Sequence, residues 1–481
     1  MVDKAILLES EPRGPGLGGK RHGGASQWRA RLAELFPEAA SQKATGATPW
    51  RSRRPAAGAA VQVAVVGVAT VVLLLRVAGV PSWDSTYGED NGVFLVDGLV
   101  RPWHLFVPYS GYLELGPRVI GQFVASFVPI IDASAAYAVS GALIGAATGL
   151  FLYHASEGYV RAPWARAMLG AALVLLPIAP LDIIDSGVDS PWYAMAALFF
   201  AALWRPRSWP GMLAAALVAC YASSSEIVAV LYAPLLLMRL LALPKVREHA
   251  VTAGWLLGLM LQVPVVLLSY AQHKQRLGTL STPGQTLAFY CHNVVLRALG
   301  WHLSVWLKSL AGYNGATVIV GGLLVLALAW AWGAGDRQVR LFTAVALLTG
   351  LVQTAFDATI SQYVIYQAPT GNFMPAARYS TIPVLLIAAS GIVAVDSYVR
   401  RHGGVRQRGV RPLAAAVVLA CLLGFGWVTD FRYVSQRAHD GRWLPYAQGL
   451  VTACTQDPAG GVTVNAWGGH HYTVPCARIR R

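Results

Sequence analysis

Eleven apolar runs, separated by short polar turns and a few long polar segments, fix what this chain can fold into. The first extends from Ala56 to Val80. The others cover roughly 132–154, 165–181, 190–204, 210–222, 225–243, 250–270, 315–333, 340–356, 376–395 and 412–428. A helix of about 20 apolar residues spans the hydrocarbon core of a bilayer, and inside lipid each backbone N–H and C=O must find its partner within the helix. The runs therefore predict an all-α polytopic membrane protein of about 11 transmembrane helices, the two flanking Ser223-Ser224-Ser225 being short. A set of soluble domains fails for lack of polar surface: only 13% of the 481 residues are charged, where soluble domains carry about 25%.

Orientation follows from where the few charges stand. Residues 1–55 are polar, rich in Gly, Pro and Arg, and without apolar periodicity, which predicts a disordered basic cytoplasmic tail. The first run starts too late for a secretory signal and is long enough to span, so an uncleaved helix is expected. Arg51-Ser52-Arg53-Arg54 precedes it and holds the N-terminus inside. Eleven spans then put the C-terminus outside. On this topology the cytoplasmic segments hold 24 of the 38 basic residues and 9 of the 23 acids, while the outer segments hold 13 of each. That sidedness accounts for the net charge of +15, a value that by itself suggests a nucleic-acid partner. No nucleic-acid-binding module is recognisable, and none is expected as a partner.

Three long segments fall on the outer face: a first loop at 81–131, a second at 271–314 and a tail at 429–481. Long loops are uncommon unless they fold and carry function. The first contains Glu89-Asp90 within Gly88 to Gly92, followed by Val93 to Val100, which has the pattern of a short amphipathic helix, and by an apolar stretch, Val119 to Ile131, too short to span. Taken locally, the two acids suit the N-terminus of the helix that follows, where the dipole favours them.

The order and sidedness of these features resemble the GT-C superfamily of integral-membrane glycosyltransferases, which use polyprenyl-phosphate sugar donors. The shared pattern is a basic cytoplasmic N-terminus, one helix, and a long outer first loop with an acidic pair, here Glu89-Asp90. A second acidic turn corresponds to Asp182, Asp185 and Asp189, and an Arg-Tyr at the outer start of a late helix to Arg378-Tyr379. The stretch Gly111-Tyr112-Leu113-Glu114-Leu115-Gly116-Pro117-Arg118 resembles a segment of actinobacterial membrane proteins of this kind. The resemblance spans about 56–428 and implies a bacterial plasma-membrane enzyme whose active site faces outside. Its donor would be a polyprenyl-phosphate sugar and its acceptor a cell-envelope glycan, lipid or protein.

Such a transfer needs a base for the acceptor hydroxyl and cations for the departing phosphate. Asp90, with Glu89, is the candidate base. Arg118 and Arg378 are the candidate phosphate contacts, because each begins an apolar segment near a membrane boundary where a carrier headgroup sits; anchoring to lipid headgroups is the competing use. Tyr379, Tyr112, Glu114, Asp182 and Asp185 complete the expected substrate-binding set. Trp83, Tyr87, Trp103, Tyr109 and Tyr112 suit either sugar stacking or an interfacial aromatic belt. Hard oxygen ligands of this kind would suit Mg²⁺ or Mn²⁺, yet two carboxylates do not complete a metal site, so the cofactor stays open. Glu226, after Ser223-Ser224-Ser225, is either a functional group near lipid or an N-cap. His273, His292 and His302 with Cys291 are spaced unlike any zinc site.

A transporter or flippase of a lipid-linked or polar solute is the alternative. It would place ionisable groups near the bilayer midplane, often in two related halves, and the runs carry almost no charge away from their ends. A receptor or assembly subunit using the outer tail is a third reading. In that tail, Gly461 to Asn465 and Tyr472 to Pro475 alternate like two short strands between Cys454 and Cys476. An oxidising exterior permits a disulfide there, and Cys454–Cys476 is the expected bridge.

Overall fold

The computed structural model describes residues 24–38, 55–86, 88–177, 183–273, 281–360, 377–402, 410–434, 441–465 and 471–479. Sixteen helices are named here: α1 (Gly24–Ala33), α2 (Pro55–Leu74), α3 (Val96–Val100), α4 (Leu115–Phe127), α5 (Ala133–Ala155), α6 (Pro163–Val174), α7 (Ser190–Leu203), α8 (Trp209–Ser225), α9 (Ala233–Ala242), α10 (Ala250–His273), α11 (Pro283–Phe289), α12 (Trp301–Ala334), α13 (Arg337–Ile360), α14 (Ala377–His402), α15 (Val410–Thr429) and α16 (Trp443–Gln456). Among the described residues seven are long and apolar enough to cross a membrane: α2, α5, α10, α12, α13, α14 and α15. The remaining apolar runs form the shorter helices α6 to α9.

The bundle is built around α7. Every residue from Ser190 to Leu203 is buried, as expected of a helix that is apolar on all sides, and α5, α8 and α14 pack around it. By contrast α2, α12 and α15 expose Val63, Val68, Val325, Leu326, Val417 and Leu422. So much exposed apolar surface calls for lipid as its solvent. At about 1.5 Å per residue α7 is about 21 Å long, short of the ~30 Å hydrocarbon core. The turn that leads into it is enclosed by neighbouring helices, and residues 183–190 are all buried.

One arginine ties the ends of three helices together. Arg76, fully buried at the end of α2, donates from Nη1 to Val174 O at 2.6 Å, from Nη2 to Leu176 O at 2.8 Å and from Nε to Phe431 O at 3.1 Å. Those carbonyls lie at the C-termini of α6 and α15, where unpaired C=O groups and the negative end of the dipole favour a cation. Beside it β1 (Val77–Ala78) pairs in parallel with β2 (Tyr433–Val434). Asp430 completes the junction by accepting from the backbone N–H groups of Trp301 and His302 at the start of α12. Gly300 there has φ +110°, and a Cβ on it would fall 2.4 Å from Asp430 Oδ2.

Three expectations change. The N-terminal tail is ordered over residues 24–38, where α1 leads into Phe36, which is fully buried. Its Leu35 O accepts from the Tyr159 hydroxyl, and Glu38 and Glu34 pair with Arg205 at 2.7 Å and Arg337 at 2.8 Å. A local Leu-Phe-Pro patch was hidden in the polar average of the whole tail. The second long loop is largely helical, with α11 held by a Thr282–Gln285 capping box and a helical segment from Trp301 that breaks at Gly312 (φ 67°, ψ 176°), after which the part of α12 expected to span from near 315 begins. In the first loop the amphipathic pattern begins earlier, as a π-helical turn Asp90–Leu95 running into α3.

The C-terminal unit matches its expected form. β3 (Gly461–Asn465) and β4 (His471–Pro475) pair antiparallel, and Cys454 and Cys476 are disulfide-bonded. Sequence alone did not indicate where this unit docks. Trp443, Ala447, Leu450 and Val474 share one core with Leu95, Leu99 and Val124 of the first loop, and Trp443 Nε1 donates to Ile130 O at 2.8 Å. The loop and the tail are therefore one structural unit.

Replacing Arg76 by Met should leave several buried carbonyls without donors. The expected loss is about 3 kcal/mol or more, seen as a lower melting temperature of the purified protein in detergent; an unchanged melting temperature would show that the three helix ends hold without it.

Candidate functional site

A tight turn in the first loop sets the site. Tyr109 N–H donates to Tyr112 O at 2.8 Å and Tyr112 N–H to Tyr109 O at 3.0 Å, around Ser110 (φ 49°) and Gly111 (φ 91°). Two successive positive-φ residues make the tight primed turn of a β-hairpin, which brings the two tyrosines together. The Tyr109 hydroxyl donates to Glu89 Oε1 at 2.9 Å, and Tyr112 interacts with Glu114. Burial first, then the adjacent carboxylates, push both phenols up, so each stays a hydroxyl donor. The turn is pinned to the bundle by Leu113 N–H to Gln262 Oε1 at 2.9 Å and Gly116 N–H to Ser225 Oγ at 2.9 Å. A Cβ on Gly116 would fall 2.4 Å from the Tyr221 ring, so the loop backbone lies directly on α8.

Carboxylates converge on Arg378 at the start of α14. Its Nη1 lies 3.1 Å from Asp189 Oδ1 and 3.6 Å from Glu89 Oε2. The positive end of a helix dipole disfavours a cation, and these acids offset that cost. Tyr379 lies under the Arg378 guanidinium and packs edge-on against Trp192 of α7, ring centroids 5.4 Å apart. Glu114 sits on the other side of the tyrosine turn, buried and in a left-handed backbone conformation (φ 47°, ψ 50°). Such strain in a non-glycine residue persists only where its surroundings fix it, often at functional sites. Glu226 and Arg378 both act electrostatically on Glu114, and Glu226 in turn acts on Asp357 at the end of α13.

The expected residues divide into two groups. Glu89, Tyr112, Glu114, Arg378 and Tyr379 come together. Asp90 does not present a carboxylate to this space: it is fully buried, with Oδ1 accepting from Val188 N–H at 2.8 Å and Oδ2 from Gly187 N–H and Ser186 Oγ, each at 3.2 Å. It fastens the turn that carries Asp189. The Arg118 guanidinium is buried, 2.9 Å from Asp97 Oδ2 and over the Phe94 ring. Asp185 is buried with φ 57° and acts electrostatically on Arg76 and Tyr193. Asp182 and Tyr87 lie outside the described residues.

Asp189 and Tyr109 enter the site more directly than the sequence indicated, and Asp357 was not anticipated. Its signal was the presence of an acid just beyond an apolar run. Glu226 makes no side-chain cap hydrogen bond to the turn it precedes, so the N-cap explanation does not account for it. Among the described residues no group of three His, Cys, Asp or Glu side chains is arranged to hold a metal ion.

No protein-family profile and no curated protein sequence matches the chain. Among solved structures there is a likeness to a cryo-EM structure of the arabinofuranosyltransferase AftD from mycobacteria, with 16% identity and a TM-score of 0.42. It covers 83% of this chain and 30% of that one, so the chain spans less than a third of its neighbour's length.

Burial first, and then Glu226, hold the Glu114 carboxyl well above the ordinary carboxylate value of 4.5. A raised folded-state pKa means that the native protein binds the extra proton. The associated stability is complete below the unfolded value and is lost as pH rises through the folded one. Melting temperatures measured from about pH 4 to about pH 9 should therefore fall less steeply for Glu114→Gln than for the wild type. Parallel curves would mean that Glu114 is not held protonated.

Proposed function

We propose that this chain is a membrane glycosyltransferase that moves a sugar from a polyprenyl-phosphate carrier to an acceptor hydroxyl at the outer face of a bacterial plasma membrane. The observation that carries the reading is the pairing of Glu89 and Arg378. One Glu89 oxygen is held by Tyr109 while the other, 3.6 Å from the guanidinium, is beyond hydrogen-bond distance of it and has no hydrogen-bond partner among the described residues. A base and a cation thus face one small volume, as displacement at a phosphate-bearing carbon requires.

In this reading Glu89 Oε2 takes the proton of the acceptor hydroxyl as its oxygen bonds to the anomeric carbon. The bond from that carbon to the phosphate oxygen breaks, and its electron pair leaves with the polyprenyl phosphate. Arg378, drawn partly away from Glu89 and Asp189, stabilises the departing charge. The Tyr109 and Tyr112 hydroxyls keep Glu89 and Glu114 in register, and Asp90 holds Asp189 in place from behind. The acceptor is a cell-envelope glycan, lipid or protein. A transporter reading draws on Asp357, an ionisable group on a spanning helix, but its neighbours Glu226 and Tyr232 tie it to this same cluster.

The test is sugar transfer by the purified protein in nanodiscs, supplied with a panel of labelled polyprenyl-phosphate sugars. Glu89→Gln is expected to lower kcat by about 10²-fold or more, the usual worth of a general base, with little change in melting temperature. Asp90→Asn instead turns an amide donor toward two N–H groups and should cost about 1–3 kcal/mol of stability. Wild-type turnover by Glu89→Gln, with a donor the enzyme uses, would remove Glu89 as the base.

A further inference from the structure

We propose that the groove between the first long loop and the C-terminal hairpin unit binds a neutral oligosaccharide. On the glycosyltransferase reading above this is the acceptor chain, but the binding itself does not require that reading.

The groove has a volume of about 330 Å³ and is lined by Gly98, Trp103, Ser126 and Phe127 on the loop side and by Ala477 and Arg478 on the tail side. That is the size range of small-molecule sites. Trp103 has φ 65°, an outlier for so bulky a residue, yet the residue is 64% exposed. Apolar burial therefore does not explain the strain. A buried side chain maintains it: Gln122 Oε1 accepts from the Trp103 backbone N–H at 2.5 Å, and Gln122 Nε2 donates to Ser126 Oγ at 2.7 Å. One buried amide thus fixes both a projecting ring and a hydroxyl that line the same groove. As an acceptor in that bond, Ser126 keeps its own proton to donate outward.

Flat aromatic faces, a hydroxyl and a guanidinium fork match the two surfaces of a sugar, apolar C–H faces and a hydroxyl rim. Lipid fits this groove less well. The tail side contributes Arg478, and the tail's exposed large apolar residues are few, Val434, Leu444 and Tyr472 among the described ones, none of them lining the groove. The groove also lies near the candidate site: Gly98 lines both it and a neighbouring cleft that reaches Phe94. The Phe94 ring contacts Tyr109, centroids 5.6 Å apart, and Tyr109 holds Glu89. The disulfide-closed tail thereby gains a role, as one wall of a binding surface.

The test is calorimetric titration of the full chain in detergent with neutral hexasaccharides of glucose, mannose, galactose and arabinose. At least one should bind, and Trp103→Ala, Phe127→Ala and Arg478→Ala should each weaken it tenfold or more with melting temperature unchanged. Trp209→Ala, an exposed tryptophan at the opposite end of α8, should leave it intact. No binding by any of the four, or binding indifferent to the groove variants, overturns the proposal. So does quenching of Trp103 fluorescence by brominated lipid, read as the difference between wild type and Trp103→Phe in nanodiscs, because the groove would then face acyl chains. Saccharide binding without sugar transfer would leave the groove standing and count against the transferase reading alone.

Discussion

Arg76 is the group on which the rest of the structure depends. A fully buried guanidinium in a bundle this apolar is tolerated only because helix ends supply it with carbonyl oxygens in place of water. In satisfying itself it fixes the end of α2 against the ends of α6 and α15. The first loop begins a few residues later, so its starting point is set by the same contact. Asp185, on the turn before α7, acts electrostatically on Arg76, and the next residues of that turn are held by Asp90. The junction of helix ends and the candidate site are neighbours in one polar layer.

Within that layer the acids have different tasks because their surroundings differ. Asp90 meets two backbone N–H groups and a hydroxyl and becomes a fastener. Glu89, one residue earlier, meets a phenol on one side and Arg378 on the other. Glu114 is set in strained backbone and deprived of water, which favours its neutral form. Arg378 lies beside both Glu89 and Asp189, so a ligand that draws on its charge alters the two acids together.

Much of the fold was legible because lipid imposes a simple rule: apolar runs must be helices. The disulfide and the hairpin were legible from spacing and alternation. Segments whose structure depends on a partner were not. Leu35 and Phe36 looked like part of a polar tail until Tyr159, Arg205 and Arg337 supplied their socket, and the C-terminal unit gave no sign that it would dock on the first loop. In the site, residue types were readable and roles were not. Glu89 and Asp90 are adjacent acids in the sequence, and only their partners separate them. Arg118 and Arg378 each open an apolar segment, yet Asp97 neutralises one and the other joins the carboxylate group. Asp357 comes from a distant helix end that no local pattern connects to the loop.

The most direct measurement is a structure of the full chain bound to a non-transferable polyprenyl-phosphonate sugar. The proposed chemistry requires the phosphonate within hydrogen-bonding distance of Arg378, with the anomeric carbon facing Glu89 Oε2. A ligand seated elsewhere, or lying in a continuous passage between the two faces of the bundle, would contradict it.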